Sequence, residues 1–328
     1  SRAHKRGADS AGHESTAQPG GCAHLSTVPM SRRRSRWLEL VLVIAVLTVV
    51  GILVNNLAVN LIRTGLGLSF QWLWQPAGFV LSEHSLPYES GDSTAWALLM
   101  GWLNSLRVIA CSILLATVLG VGAGAARRSF NPLLRRLAAL YVGSIRQIPL
   151  LLQLLFWYFV AFLGLPSEPL APLGALIRLS NQGIGILGLN ISVEFAAVLM
   201  GLSVFTGAAI AEVVRGGLDS VPRGQWEAFR SLGLAESPGL RLVILPQALP
   251  AILPALSSQY LNLAKNSTLA IAVGYADLYA VSDTTITQTG RAIEGFLILL
   301  LSFLALNLLI NGGMQVLNRI MLLPGQRN

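Results

Sequence analysis

An all-α membrane protein that crosses the bilayer several times is the fold class this sequence predicts, and three observations predict it. Of its 328 residues, 53% are hydrophobic and only 12% charged, about half the charged share of a soluble domain. The apolar residues gather into blocks near the roughly 20-residue length a helix needs to span a bilayer. The blocks lack the period-two alternation of barrel strands, and lipid admits only helices and closed barrels.

Each element follows in order. Residues 1–30 are polar and carry no hydrophobic period, so they read as a disordered extension. His4, His13 and His24 are too scattered there for a metal site. Met30 precedes "SRRRSRWLEL", an ordinary start for an inner-membrane protein, and the first 29 residues read as a leader or a start-site artefact. Apolar blocks fall at about 37–62, 105–126, 148–164, 191–214, 245–263 and 295–317. The first is longer than a signal-peptide core and has no cleavage site, so it reads as an anchor. The 63–96 connection carries Trp72, Trp74, Phe79 and Tyr88, aromatics suited to a membrane interface. Residues 165–190, rich in Pro and Gly, read as a second outer loop. Residues 264–290 are too polar for a clean span and read as a short embedded or gating helix plus a loop.

The pI near 10.2 does not point to nucleic acid, because the basic residues lie between the apolar blocks with no interleaved aromatic surface. Arg32, Arg33, Arg34 and Arg36 assign the N-terminus to the cytoplasm. Alternation then puts about fifteen basic residues inside against four outside: Arg63, Arg107, Arg178 and Arg291. Both termini are expected in the cytoplasm, and Arg107 is expected to snorkel at the outer interface. Cys22 and Cys111 indicate neither a disulfide framework nor a metal site.

Catalytic patterns are missing. The two lysines, Lys5 and Lys265, do not follow a glycine, so no phosphate-cradling loop of the Walker kind is present. His84 is the one histidine after residue 30. The middles of the spans are nearly free of charge, which disfavours an ion-coupled carrier. Glu212 and Arg215 are three apart and can meet on one helix face.

One polar module stands out between two apolar blocks: "GQWEAFRSLGLAESPGLRLVILP", Gly224 to Pro246. Pro222 favours a helix start and Gly224–Leu232 a short helix, with Trp226, Phe229 and Arg230 on one side. Gly233 suits a left-handed closing residue. Ser237-Pro238 reads as the cap and start of the next helix. Pro246, Pro250 and Pro254 predict a kinked span after it. A small amphipathic helix held between two spans is suited to passing motion to a cytoplasmic partner.

The spacing of Glu227-Ala228, Gly233 and Leu245-Pro246 resembles the EAA loop of permease subunits in bacterial ABC importers. "RQIPLLLQLLFWY", "FTGAAIAEVVRGGLDSVPRGQWEA" and "LAKNSTLAIAVGYADL" resemble the polar amino-acid uptake branch, over about residues 95–322. The preceding span and "AGF…PYESGDSTAWA" are similar to the general L-amino-acid subgroup. Three positions depart from the pattern. Phe229 replaces the second Ala of the triplet, which is expected to alter the docking shape. Ser267-Thr268 inverts the usual order, and Gly143 stands where a Glu often precedes the Arg-x-Ile-Pro element.

The resemblance implies a type I importer permease fold, a five-helix core (95–322, with the coupling loop at 215–246) plus one N-terminal transmembrane helix in residues 31–94 and a tail at 323–328. It implies a homodimeric ATP-binding subunit that holds ATP and Mg, a second homologous permease (a heterodimer), a periplasmic substrate-binding protein and an amino-acid cargo. This chain itself needs no cofactor. Glu227, Ala228, Phe229, Arg230, Gly233, Leu245 and Pro246 would couple to the ATPase. Gln153, Glu212, Asn266, Ser267 and Thr268 are candidate translocation residues, although such groups also hold membrane helices together. The pairs Ala197/Gly201, Ser203/Gly207 and Gly120/Gly124 suit close helix packing, within the chain or between subunits.

Overall fold

The structure is a computed structural model that describes residues 32–63, 68–171, 177–186 and 189–321. The polar extension 1–30 and the tail 323–328 lie outside the described residues. The chain divides into two units, Ser1–Leu68 and Ser69–Asn328. The first contains α1 (Arg32–Arg63), whose apolar stretch Glu39–Asn60 has none of its best span window buried.

The second unit begins with a 3₁₀ turn, Gln71–Trp74, and an irregular segment leading to α2 (Thr94–Ala126). Ser93 caps α2, its Oγ accepting from the Trp96 N–H at 3.3 Å, so the helix starts three turns before the apolar block that betrays it. At 1.5 Å per residue, its 33 residues reach about 50 Å, some 20 Å beyond a hydrocarbon core of about 30 Å. Because the apolar stretch starts near Ser105, the surplus stands at the N-terminal end of the helix.

The expected 127–146 connection is largely a helix, α3 (Pro132–Ile145), which is a correction. Asn131 caps it, with Oδ1 2.9 Å from the Leu133 N–H, and Pro132 sits in its first turn. Arg135 and Arg136 interrupt the apolar run and hide the Leu133/Leu137/Leu140 period. Next come α4 (Leu150–Leu155) and its π-helical continuation Phe156–Phe162. The pair turns through 107° at Arg146–Pro149, the geometry of a broken span or of a re-entrant loop.

The loop expected at 165–190 carries the one sheet among the described residues, an antiparallel three-stranded meander: β1 (Ile177–Ser180), β2 (Gly183–Ile186) and β3 (Leu189–Ile191). Alternating Ile and Gly around an Asn-Gln turn explain it; the Pro and Gly content masks it in the sequence. α5 (Val193–Asp219) follows and is the most buried span. After it come α6 (Arg223–Ser231), α7 (Glu236–Gly239), a π segment Leu240–Ile244 and α8 (Leu245–Asn266). α8 runs unbroken through Pro250 and Pro254. The irregularity lies ahead of the prolines: Leu245 N–H reaches back to the Leu240 carbonyl, a five-residue step, just before Pro246, which has no N–H to donate. As expected, 264–290 breaks into a 3₁₀ helix, Ser267–Val273, a left-handed Gly274, and the short α9 (Leu278–Thr289). α10 (Ala292–Met321) ends the described chain. Among the described residues, five helices are long and apolar enough to cross a membrane, or six if the bent pair is one span.

α2 and α5 form the closest helix pair. A Cβ on Gly120 would lie 2.5 Å from Ile210 Cβ and 2.8 Å from the Gly207 carbonyl; one on Gly124 would lie 2.8 Å from Val214 Cβ. Gly207 in turn faces Leu119, and Gly201 faces Leu154 of α4. The small residues therefore serve packing within this chain. Gly120→Ala is expected to cost about 1–3 kcal/mol by overpacking. Gly122→Ala, with open space around it, is expected to be neutral or to stabilise by up to about 1 kcal/mol. Thermal unfolding of the two variants in detergent checks this, and equal effects would remove the seam as the cause.

At the outer end, Asp277 is fully buried, caps α9 through Oδ1 (2.8 Å from the Ala280 N–H), and leaves Oδ2 without a partner among the described residues. Burial pushes its pKa from 3.8 to about 7. The raised value makes the folded state bind this proton more tightly, so its contribution is full below about pH 4, is lost as pH rises to about 7, and is flat above. Relative to Asp277→Asn, wild-type stability should fall by at most about 1.4 kcal/mol per pH unit across that window. A difference independent of pH in thermal melts would contradict the burial of the carboxyl.

Candidate functional site

The polar module 222–246 folds as two short helices, and the sequence places the first within one residue. Gly233 has φ +69°, the left-handed closing residue that its position requires. Ser237 does not cap the second helix, which is a correction: α7 starts at Glu236 with Ala235 in the cap position and no side-chain cap.

The face of α6 divides sharply. Glu227 and Ala228 are exposed, whereas Phe229 is 1% exposed. A Cβ on Gly239 would overlap the Phe229 ring. The unusual residue of the triplet is thus an internal anchor seated in a space that a glycine creates. Its expected effect on docking shape is corrected accordingly: the side chain points into the protein. Arg230 pairs with Glu236 at 2.9 Å and lies 5.6 Å from the Phe229 ring centroid. Leu245 and Pro246 begin α8, with Pro246 half-buried.

Two side-chain contacts tie α6 to the spans. Arg128, at the end of α2, lies 4.2 Å over the Trp226 ring and pairs with Asp219 of α5. Gln247 Nε2 of α8 donates to Gln225 Oε1 at 3.2 Å. Asp219 also accepts from Arg215 at 2.6 Å; Arg215 Nε donates to Glu212 at 3.0 Å, and Glu212 pairs with Arg127 as well. The expected Glu212–Arg215 pair is present, inside a five-member chain of alternating charge. Arg128 and Asp219 were not singled out in the sequence; the i, i+3, i+7 run Glu212–Arg215–Asp219 is the signal that finds the second. Partly exposed ion pairs contribute about 0–1 kcal/mol each and an exposed cation–π contact about 0.5–1. Deleting a buried Phe costs about 3–5 kcal/mol. Packing of Phe229 therefore holds the module, and the charges orient it.

The five candidate translocation residues are not gathered. Gln153 is buried, and its Nε2 donates to the Ile145 and Ile148 carbonyls at 3.0 Å each, closing the bend between α3 and α4. Ser267 and Thr268 donate to the Ala264 and Lys265 carbonyls, at 2.9 Å each. Asn266, half-buried at the end of α8, makes no side-chain hydrogen bond among the described residues. Glu212 lines a cavity of about 350 Å³ with Arg127, Gly143, Arg146 and Gln147, and the other four do not line it. Gly143, where a Glu was expected, leaves open space there. Arg107 pairs with Glu83 and lies 4.3 Å over the Phe195 ring.

The module's geometry, a helix with an exposed Glu-Ala edge hung between two spans, matches a known architecture. Residues 116–322 match the family model described as binding-protein-dependent transport system inner membrane component. The chain belongs to this family. Among similar proteins, the permease is 34% identical to the putative amino-acid ABC transporter permease protein YhdX of Escherichia coli (86% of this chain, 93% of that one). It is 32% identical to the general L-amino acid transport system permease protein AapQ of Rhizobium johnstonii (84% and 89%). Among solved structures, that of an amino acid ABC transporter with histidines is 26% identical, with TM-score 0.54, over 69% of this permease and 94% of that chain.

Phe229→Ala is expected to loosen the loop by about 3–5 kcal/mol and Arg128→Ala by about 0.5–2 kcal/mol. Hydrogen exchange of residues 223–240 measures both; a larger effect at Arg128 would reverse the assignment.

Proposed function

We propose that this permease is the translocating subunit of an ATP-driven importer of polar L-amino acids in the bacterial inner membrane. The observation that carries the reading is the exposed Glu227-Ala228 edge of a helix whose other face is anchored by Phe229 and Arg128. Family membership and the amino-acid permeases among its relatives support the cargo class. Partner ATPase subunits supply ATP and Mg, and Glu227, Ala228 and Gly233 face the ATPase from the cytoplasmic side. A periplasmic binding protein delivers the cargo, and a second, homologous permease completes the pathway. Both termini lie in the cytoplasm.

ATP-driven approach of the ATPases moves α6, and the contacts of Trp226 and Gln225 pass that displacement to α2, α5 and α8. The energy comes from the partner, and this chain supplies two states with different affinity for it. Along the pathway, Gln153 is bonded to backbone across the bend between α3 and α4, and Ser267 and Thr268 to backbone one turn back, which favours a role in shaping the spans. Glu212 and Asn266 remain the better candidates for contact with cargo.

Gly233→Val tests the coupling. A β-branched residue resists positive φ, so the variant should insert and leave ATPase activity in the reconstituted complex while uptake falls at least tenfold. Normal uptake at wild-type expression would refute the role of the loop.

A further inference from the structure

The outer segment ahead of α2 runs down beside that helix and ends in a contact whose chemistry is that of a ligand site. Glu83 is the reaching residue. Its Oε1 pairs with the Arg107 guanidinium, and its Oε2 accepts from Ser192 Oγ at 2.6 Å. Ser192 is also the cap of the 27-residue α5, its Oγ accepting from the Phe195 N–H at 3.1 Å. The Phe195 ring backs the guanidinium at 4.3 Å. An arginine, a hydroxyl and the positive end of a long helix converging on one carboxylate make a carboxylate receptor.

The frame around the contact is rigid. Asn104, fully buried, donates from Nδ2 to the carbonyls of Glu83 and Ala276 at 2.9 Å each, and its Oδ1 accepts from Ser85 Oγ at 2.9 Å. Tyr275 Oη donates to the Asn104 carbonyl at 3.0 Å, and the Leu278 N–H donates to Ser105 Oγ at 2.9 Å. The backbone at Glu83 is therefore held by Asn104 independently of the Glu83 side chain. The Glu83 side chain is 15% exposed and that of Arg107 is 36% exposed, so the guanidinium keeps an edge open to the outer side.

We propose that Arg107, Ser192 and Phe195 form an entry site for the α-carboxylate of an incoming amino acid, and that Glu83 occupies it in the resting state as a tethered substitute. The inference rests on the amino-acid importer reading. A side chain tethered this closely competes at an effective concentration on the order of millimolar. The occupied site therefore rejects dilute free amino acids and yields to cargo released at high local concentration. Exchange of one carboxylate for another leaves the charge of the site unchanged, and the backbone anchor at Asn104 keeps the segment in place while the Glu83 side chain swings out.

The test is binding of radiolabelled L-glutamate, L-glutamine and L-alanine to the full-length permease, purified with its partners and without ATP. Glu83→Ala should bind at least one of them at least tenfold more tightly than wild type. Glu83→Gln, which keeps the volume, should gain less, and Glu83→Ala combined with Arg107→Gln should lose the gain. The matching amines without the α-carboxylate, 4-aminobutanamide for L-glutamine and ethylamine for L-alanine, should not compete. Equal binding by wild type and both Glu83 variants overturns the site, as does competition by the amines or a gain that survives loss of Arg107. Those outcomes alongside ATP-driven amino-acid uptake by the wild-type complex would sink the entry site alone. Absence of uptake for every amino acid would sink the importer reading on which it rests.

Discussion

The seam between α2 and α5 is the constraint on which the rest of this permease depends. Lipid offers no hydrophobic drive for helices to associate, so the pair is held by close approach and dispersion. Gly120, Gly124 and Gly207 permit that approach by presenting backbone where side chains would otherwise stand. Interdigitation of this kind leaves no sliding mode, because Ile210 and Val214 sit in the spaces that the glycines leave. α2 and α5 therefore move as one body, and any conformational signal has to enter and leave at the ends of the pair.

Both ends carry the same triplet in different sequence contexts. At one end, Arg128, just past α2, lies over Trp226 and pairs with Asp219; at the other, Arg107 of α2 lies over Phe195 and pairs with Glu83. Each triplet joins the rigid pair to a segment outside it, α6 below and the 69–93 segment above. A guanidinium stacked on a ring and bound to a carboxylate is held in one plane. Such joints are strong enough to transmit a displacement and weak enough to be released by a partner, which buried aliphatic packing is not.

Much of this was legible in the sequence, and the reasons for the rest are specific. The spans appear as apolar blocks because lipid demands them, and the short helix around Trp226 appears because Pro222 and Gly233 punctuate it. The extra turns of α2 did not appear: its outer part packs against protein and carries a mixed composition. α3 was hidden by Arg135 and Arg136 inside its leucine period. The meander at 177–191 was masked by glycine and proline, which read as loop wherever tertiary contacts are unknown. Phe229 looked like a change on a docking face because a sequence shows the residue type but not its complement, Gly239, ten positions on.

The residues that polar character alone suggested for the pathway divide by the same logic. Gln153 occurs in an apolar run because its amide donates to the Ile145 and Ile148 carbonyls across the 107° turn after α3. Ser267 and Thr268 serve the change from α-helix to 3₁₀ helix, where hydroxyls take up carbonyls three residues back. A polar side chain inside a membrane protein thus has two possible creditors, the backbone and the cargo, and irregular backbone claims it first. Glu83 and Arg107 lie outside that claim, because neither caps a helix or closes a bend. Their mutual contact is between charges that the fold brings together from segments 24 residues apart, and its chemistry is the chemistry of the cargo.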